Sequence, residues 1–542
     1  MIEEVRKSGK SESPKDDVRI EGVIGLLRFI NFTTFQHYNL PTMLNKGYLT
    51  NLDSLIAAII GFIVIFLFTK YSGVGISPDS IMYASTATNL QAHGTIITFN
   101  KGPLVFFPVF YPFFLGVIQF ITRVDPIEAG AMINATLFAI VIFTSGWIME
   151  KFISHSRIYK WLILIAVILS PGLLEIYTYL WSETLFIFEI LLFIIAYWRY
   201  LQTHSTRALI WVAIIVAISC ITRYAGVTVV GAGGLMLLLD NQLTIKKKIG
   251  HILLFGVISV SLLAGNLVMN SINSGLSTGT RYPSITPFVD NLHYFGTVIC
   301  DWGSLSKAAY PYAAVITAVV LLALIGILLW KAFKGRINSY ENIVIAFAIV
   351  YGLFIVISAS ISRYERINSR LLSPMFIPLL IACTSWVPDV LRLVKSKAKY
   401  TLATVAVVLM LTFEYSTARD DYQRYDDECD YGVPGYSDDD WNKSEFIVYL
   451  RHHQNMFKPG IPIYTDADEA VYFFTRMSST VIPHHDNKPD VQKFYAQKRF
   501  YLIWFDNLYN TELISLQDIM KNKKLVQIGG AKEGRIFLCE EK

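Results

Sequence analysis

Residues 53–71 read DSLIAAIIGFIVIFLFTKY and are followed directly by SGVGISPDS at residues 72–80. The first stretch is apolar almost throughout, and its length is close to the ~20 residues with which a helix crosses a bilayer. The second stretch is polar, and its Ser-Pro-Asp sequence is typical of a helix start. Together they predict a membrane-spanning helix that ends in a loop carrying Asp79 at the membrane surface.

The composition of the whole chain extends this prediction. Hydrophobic residues make up 53% of the 542 residues, charged residues make up 16%, and the mean hydropathy is +0.44, whereas about 25% of a soluble domain is charged. A string of soluble domains is therefore excluded, and we expect an integral membrane protein. The five cysteines form no CxxC pair and no cluster with histidine at zinc spacing, which excludes zinc-finger and thioredoxin-type functions.

Apolar runs recur along the first four fifths of the chain and predict a polytopic α-helical membrane protein of about 11 transmembrane helices. Several runs are shorter than the ~20 residues of an untilted span, so their ends are approximate. The runs lie near residues 53–71, 127–150, 158–177, 183–201, 208–222, 225–241, 249–270, 309–331, 341–361, 371–391 and 400–415.

Three basic loops orient these spans. Residues 246–248, 331–336 and 392–399 are dense in Lys and Arg, which favours the cytoplasmic side. A further apolar run, 103–122, is interrupted by three prolines, and we expect it to lie in the outer interface rather than to cross the bilayer. The N-terminal segment 1–50, which lacks a signal-peptide pattern, is then cytoplasmic, and the C-terminus is extracytoplasmic.

The C-terminal segment 419–542 differs in character from the rest, because it carries 16 basic and 21 acidic residues and no long apolar run. Aromatic and apolar stretches bounded by turn residues predict strands at 461–465, 480–483, 500–505, 525–528 and 535–539, and helices at 440–453, 468–476, 490–498 and 511–521. We therefore expect three parts: a cytoplasmic segment 1–50, a transmembrane domain 51–418, and a small extracytoplasmic α/β domain 419–542.

Asp79 is the first candidate for chemistry. An acid at a helix start is often only a capping residue, but a carboxylate held at the membrane surface beside a cavity can act as a general base toward a hydroxyl group. A single cation, Lys101, and an aromatic-proline segment at residues 103–112 follow on the same side. The residues alone leave both interpretations of Asp79 open.

Two further acids and one arginine lie at predicted outer ends of spans. Glu175 and Glu183 flank the third and fourth spans, and charged groups at such depths are costly enough to suggest function, although Glu183 also fits a simple first-turn acid. Arg223 separates two short apolar runs. It either reaches lipid headgroups or binds an anion in a cavity.

Arg363, Arg366 and Arg370 form a basic cluster on the predicted outer side, against the usual distribution of positive charge. An anionic ligand is one explanation, since guanidinium groups suit phosphate. Pairing with Glu365 or with lipid phosphate is the other. The remaining basic excess lies in short loops between spans, so we do not interpret it as a nucleic-acid surface.

Paired histidines and acidic runs in the C-terminal segment, His452-His453, His484-His485 and Asp438-Asp439-Asp440, raise the question of a metal site. Neighbouring histidines on a helix point to different sides, and no loop has EF-hand spacing. We interpret these residues as solvated faces and predict no metal site.

Five short motifs occur in a fixed order along residues 53–390. They are Asp79-Ser80-Ile81-Met82-Tyr83, the stretch FPVFYPFFL at residues 107–115, Ser182-Glu183-Thr184-Leu185-Phe186, Thr222-Arg223-Tyr224-Ala225-Gly226, and Arg370-Leu371-Leu372-Ser373-Pro374. In this order they resemble the GT-C superfamily of membrane glycosyltransferases, in particular the bacterial branch related to aminoarabinose transferases and protein mannosyltransferases.

The resemblance implies a GT-C-like fold, a bacterial inner membrane location and roles for individual residues. Asp79 would be the general base and Glu183 the second catalytic acid, while Lys101, Arg223 and Arg370 would hold the lipid phosphate. Our candidate substrate-binding residues also include Tyr83, Glu175, Arg363 and Arg366. Asp79 is followed by Ser80 where many members have a second acid, so a dedicated divalent-metal site is not supported and no cofactor is expected to be required.

The reaction implied is transfer of a sugar from a polyprenyl phosphate to a hydroxyl of a glycan, lipid or protein acceptor. Phosphate is already a good leaving group, so cations and one carboxylate suffice without a cofactor, and attack from the opposite face would invert the anomeric centre. A transporter or flippase for lipid-linked glycans, or a surface-polysaccharide ligase or polymerase, are the alternatives. A transporter is expected to show internal repeats and ionisable groups near the middle of the bilayer. In this sequence the candidate ionisable residues lie at the outer ends of the predicted spans.

Overall fold

A computed structural model describes residues 51–152, 157–303, 305, 307–382 and 396–541. The N-terminal segment 1–50, predicted to be cytoplasmic, lies outside the described residues, as do residues 383–391 of the predicted span 371–391 and residues 392–395 of the basic loop 392–399.

Helices dominate the part before residue 440. They are α1 Leu52–Phe68, α2 Pro78–His93, α3 Phe110–Thr122, α4 Pro126–Phe152, α5 Arg157–Ile168, α6 Pro171–Thr178, α7 Glu183–Thr203, α8 Thr206–Thr222, α9 Val227–Leu239, α10 Ile245–Ser274, α11 Phe288–Trp302, α12 Ala313–Phe333, α13 Tyr340–Ile361, α14 Ser369–Leu372, α15 Ser396–Tyr431 and α16 Asp439–Asn442. The long helix α15 runs without a break across residue 418, where the sequence predicts a domain boundary.

Several of these helices have the length and composition of membrane spans. In the described ranges five qualify, at Pro126–Lys151, Glu183–Thr203, Ile245–Ser274, Lys307–Phe333 and Tyr340–Ile361, and the pair Arg157–Ile168 and Pro171–Thr178, bent by 50°, would make a sixth. Shorter apolar helices include α1, α3 and α8. The set fits an integral membrane protein, whereas the number of eleven spans remains a prediction.

The burial of the helices indicates which ones face lipid. Only 22% of the apolar window of α10 is buried, against 67% for α7 and α13. Val257 and Ile272 of α10 are largely exposed. Apolar surface of this extent on a helix is expected where the surrounding medium is lipid, so α10 lies at the periphery and α7 and α13 at the centre.

The apolar run 103–122, expected to lie in the outer interface, forms only a short helix. Residues 103–109 are not helical, and α3 begins at Phe110, after Pro108, with Pro112 in its first turn, where a missing N–H does no harm. Its 13 residues extend about 20 Å at 1.5 Å per residue, less than the roughly 30 Å of a hydrocarbon core. This length agrees with a segment that does not cross, and its interfacial placement remains a prediction.

A small mixed sheet with flanking helices follows, as the sequence predicts. The strands are β1 Ile463–Thr465, β2 Thr480–Val481, β3 Arg499–Phe505, β4 Leu525–Ala531 and β5 Gly534–Glu540, and the helices are α17 Glu445–His452, α18 Asp468–Thr475, α19 Lys488–Tyr495 and α20 Leu516–Asn522. The strand order is β2-β1-β3-β5-β4, with β1 parallel to both neighbours and β5 antiparallel to both of its neighbours. Its core includes Phe500, Leu502 and Phe537.

Candidate functional site

One cavity of about 310 Å³ collects polar and aromatic side chains from distant parts of the chain. It opens between the starts of α2 and α14, the loop before α3, the break between α8 and α9, and the loops around residues 281 and 364. The lining residues are Asp79, Tyr83, Phe106, Phe107, Pro108, Ser182, Thr222, Arg223, Tyr224, Ala225, Arg281, Arg363, Tyr364, Glu365, Arg370 and Leu371.

Asp79 enters this cavity from the first turn of α2. The N-terminus of that helix is capped by Ser77, whose hydroxyl accepts the N–H of Ser80 at 3.4 Å, while the Ser80 hydroxyl accepts the N–H of Ser77 at 3.1 Å. Pro78 occupies the first helical position, where its missing N–H leaves nothing unsatisfied. Because Ser77 does the capping, the carboxylate of Asp79 is left to other partners.

The partner of Asp79 is Arg370, from the short helix α14. Its Nη2 donates to Asp79 Oδ2 at 2.6 Å, and its Nε donates to Glu183 Oε1 at 2.7 Å. The guanidinium lies over the ring of Trp181, 3.7 Å from the ring centroid, a cation–π contact that orients it further. Arg370 is therefore held between two carboxylates from the starts of two other helices.

Glu183 also pairs with the second arginine predicted from the sequence. Arg223 Nη1 contacts Glu183 Oε2 and donates to the Ser182 hydroxyl at 2.8 Å. Tyr83 shares that hydroxyl at 3.1 Å. The Glu183 side chain is 1% exposed and lies behind the cavity wall, so its charge acts on the two arginines rather than on the cavity space.

The break between α8 and α9 explains how Arg223 reaches this position. Arg223 has an extended backbone, with φ −144° and ψ 141°, and a 3-10 turn at Tyr224–Gly226 follows. Tyr224 donates its hydroxyl to the carbonyl of Val105 at 3.0 Å. This bond ties the break to the loop before α3, so that loop and break form adjoining walls of the cavity.

Arg281 is a lining residue that the sequence analysis did not identify. It is exposed, and among the described residues no carboxylate forms an ion pair with it. The signal that could have found it is its charge in a predicted outer loop, the same signal that identified Arg370. With Arg223 and Arg370 already balanced by acids, Arg281 supplies positive charge that is available to an anion.

Glu365 also lines the cavity, 3.9 Å from Arg370 Nη1. Burial raises its pKa above the ordinary value, Arg370 lowers it, and the nearby carboxylates of Asp79 and Glu183 raise it further. From the sequence, Glu365 is expected only as a pairing partner of the arginine cluster. The cavity thus holds two carboxyl groups that compete for one guanidinium.

The other two members of the predicted arginine cluster point in different directions. Arg363 lines the cavity but donates from Nη1 to His484 Nε2 at 3.0 Å and to Glu512 Oε1 at 3.3 Å, both in the C-terminal segment. Arg366 stacks on the Tyr294 ring at 4.1 Å and is not part of the lining.

Two predicted site residues lie apart from the cavity. Lys101 occupies the exposed tip of a turn with φ 65°, where its N–H donates to the Thr98 carbonyl at 3.0 Å. Glu175 is half-buried in α6, and neither residue belongs to the lining. Tyr83 does line the cavity, with its ring packed edge-on against Phe107 and Tyr111.

One group in the described part of the chain has side-chain ligand atoms close enough for a metal ion. His484, His485 and Asp486 each place one such atom within 4.8 Å of the others. Arg363 donates to Nε2 of His484, and a guanidinium at this distance opposes a cation bound there. The group lies outside the cavity lining. Cys429 and Cys539 are both free thiols and do not form a disulfide with each other.

Solved structures with a similar fold are known, although no protein-family model and no curated protein sequence matches the chain. ArnT from Cupriavidus metallidurans bound to undecaprenyl phosphate superposes with a TM-score of 0.54 at 11% identity, over 89% of this chain and 97% of that one. The archaeal oligosaccharyltransferase AglB from Archaeoglobus fulgidus, in complex with an inhibitory peptide and a dolichol-phosphate, gives 0.51 at 11% identity, over 85% and 70%. The GT-C-like fold expected from the motifs is therefore confirmed.

Proposed function

We propose that the protein is an integral membrane glycosyltransferase that moves a sugar from a polyprenyl-phosphate donor to a hydroxyl acceptor on the outer face of the membrane. The observation that carries the proposal is that the carboxylate of Asp79 and the guanidinium groups of Arg223 and Arg370 line one cavity, although they come from distant segments. A carboxylate and several cations are the groups that this reaction needs.

The charge balance of the cavity supports an anionic ligand. Four arginines line it, with the carboxyls of Asp79 and Glu365 beside them and Glu183 directly behind. Arg363 is engaged by Glu512, while Arg281 forms no carboxylate ion pair with any described residue. We assign to Arg223, Arg281 and Arg370 the task of binding the donor phosphate, since guanidinium groups match its geometry.

Asp79 is assigned the role of general base. The acceptor hydroxyl loses its proton to the Asp79 carboxylate as its oxygen bonds to the anomeric carbon, while the bond from that carbon to the phosphate oxygen breaks. The arginines take up the charge that develops on the leaving phosphate. Because nucleophile and leaving group occupy opposite faces of the sugar, the product has the inverted anomeric configuration.

Glu183 is assigned to positioning in this scheme. The Glu183 carboxylate accepts a hydrogen bond from Nε of Arg370 and forms an ion pair with Nη1 of Arg223. It therefore holds two cations side by side that would otherwise repel each other. Arg223 reaches the cavity itself and stabilises the phosphate alongside Arg370. The polyprenyl character of the donor is supported by the lipid phosphates bound in the two solved structures of similar fold.

The experiment that tests the proposal uses the purified full-length protein in lipid nanodiscs with defined polyprenyl-monophosphate sugars and a panel of hydroxyl acceptors. Mass analysis should detect an acceptor heavier by one sugar residue, together with free polyprenyl phosphate. Transfer only from an oligosaccharide diphosphate donor would identify a ligase instead. Movement of the intact lipid-linked sugar between leaflets without a new bond would identify a transporter and overturn the proposal.

A further inference from the structure

The segment that leads into Asp79 is bound on both sides by other parts of the chain. Residues 72–76 connect α1 to the cap of α2. On one side, Gly75 donates its N–H to the Thr178 carbonyl at 2.8 Å and accepts the N–H of Leu180 at 3.3 Å. Trp181, the ring under Arg370, donates its indole N–H to Ser77 Oγ at 2.7 Å. This side joins the segment to the residues just before Glu183.

The other side of the segment is held by residues 432–438, which follow α15 and lead into the C-terminal sheet domain. Val433 donates its N–H to Ser72 Oγ at 3.0 Å, and Tyr436 donates its N–H to the Ile76 carbonyl at 2.8 Å. Ser437 donates its hydroxyl to the Val74 carbonyl at 3.0 Å. Three bonds thus fix a stretch of five residues that ends just before the cap of the Asp79 helix.

The close approach of the two stretches depends on Gly435. Its φ is +121°, and a Cβ at this position would lie 2.5 Å from the Ile76 carbonyl oxygen. Real Cβ atoms do not approach backbone this closely, and L side chains rarely adopt this φ. Any side chain at position 435 would therefore push residues 432–438 away from residues 72–76.

We propose that residues 432–438 are a positioning element of the proposed active site. They hold residues 72–76 in place and thereby keep the Asp79 carboxylate within hydrogen-bond distance of Arg370. The inference rests on the proposed role of Asp79. On this proposal the C-terminal segment supports catalysis without contacting either substrate. Its residues 432–438 position the base through residues 72–76, while Trp181 positions Arg370.

The test compares Gly435→Ala with Gly460→Ala in the full-length protein. Gly460 also has a positive φ, of +83°, but a Cβ there would have nothing within 4 Å. Both variants therefore strain a turn in the same part of the chain, and only Gly435→Ala disturbs residues 72–76. Hydrogen exchange of the amides at 72–80 should be faster in Gly435→Ala alone. This measurement needs no substrate, so it separates the inference from the proposed activity.

In the transfer assay, Gly435→Ala should lower kcat by roughly 10- to 100-fold, the loss expected from displacing a catalytic group by about 1 Å, with little change in the Kd for polyprenyl phosphate. Should Gly435→Ala fail to fold, Ser437→Ala removes only the bond to Val74, with the exposed Ser478→Ala as its control. Equal exchange at 72–80 and equal kcat in variant and control would overturn the inference. Faster exchange without any transfer activity in the unmodified protein would instead remove the proposed function.

Discussion

Arg370 donates to the carboxylate of Asp79 over 2.6 Å, although the two residues lie 291 positions apart in the chain. The contact joins the start of α2 to the start of α14. A base that is paired with a cation is held in a defined position until the substrate phosphate competes for that cation. The ion pair therefore fixes the position of the proposed base relative to Arg370.

Replacing the carboxylate tests this pair directly. Asp79→Asn keeps the size of the side chain and a hydrogen-bond acceptor for Arg370, but an amide does not take up a proton. We expect kcat to fall by about 10²- to 10⁴-fold, the range attributed to general base catalysis, while polyprenyl phosphate still binds. Single-turnover assays and a binding isotherm measure the two quantities.

The control for Asp79→Asn is Asp125→Asn. Asp125 also stands at a helix start, where its Oδ1 accepts the N–H of Ile127 at 2.9 Å, and it does not line the cavity. Its activity should match that of the unmodified protein. Full transfer activity in Asp79→Asn would remove this residue from the mechanism.

The sequence allowed part of this arrangement to be predicted, because the membrane restricts where charges are stable. Asp79 follows an apolar run and Arg223 separates two, while Arg370 belongs to a basic cluster on the predicted outer side, and charges at such places point to function. The strands of the C-terminal domain were equally predictable from aromatic and apolar stretches bounded by turn residues. Their order in the sheet was not, since each pairing joins residues far apart in sequence.

Other features depended on tertiary contacts that no local pattern encodes. Lys101 follows the outer-loop pattern, yet the turn at Thr98 to Gly102 directs it to the exterior. Arg281 lies in a loop without a motif and nevertheless lines the cavity. Glu183 could be identified as a buried acid at a span end, but only the structure reveals that two arginines share it.

The shared carboxylate leads to a stability prediction. Glu183→Gln removes the negative charge between Arg223 and Arg370, and breaking a buried ion pair in this way costs about 3–5 kcal/mol. We expect a clearly lower unfolding temperature in detergent and weaker donor binding. Glu128→Gln is the matched control, because Glu128 is also a first-turn acid but is exposed. Equal unfolding temperatures for the two variants would contradict the structural role of Glu183.

Arg281 leads to a prediction about donor affinity. If it binds the phosphate, Arg281→Ala should raise the Kd for polyprenyl phosphate by roughly 10- to 100-fold, corresponding to the loss of one charge-assisted hydrogen bond of about 1.5–3 kcal/mol. The effect should shrink at high salt because the residue is exposed. Titration calorimetry at two salt concentrations measures it, with the exposed Arg207→Ala, outside the cavity, as control. An unchanged Kd at low salt would assign the phosphate to other residues.

Asp466, just after β1, leads to a prediction about pH. Burial raises its pKa from the ordinary 3.8 to about 7, although its carboxylate accepts the N–H of Phe505. Between these two values the folded protein keeps a proton that the unfolded chain has released, so stability falls as the pH rises toward 7 and stays low above it.

Asp466→Asn, which keeps an acceptor but carries no charge, should unfold at a higher temperature than the unmodified protein at pH 8, and at nearly the same temperature at pH 4. Unfolding followed by intrinsic fluorescence across this range measures the difference, and the exposed Asp440→Asn should show no such pH-dependent gain. A constant difference between Asp466→Asn and the unmodified protein at all pH values would mean that the carboxyl of Asp466 does not titrate in this window.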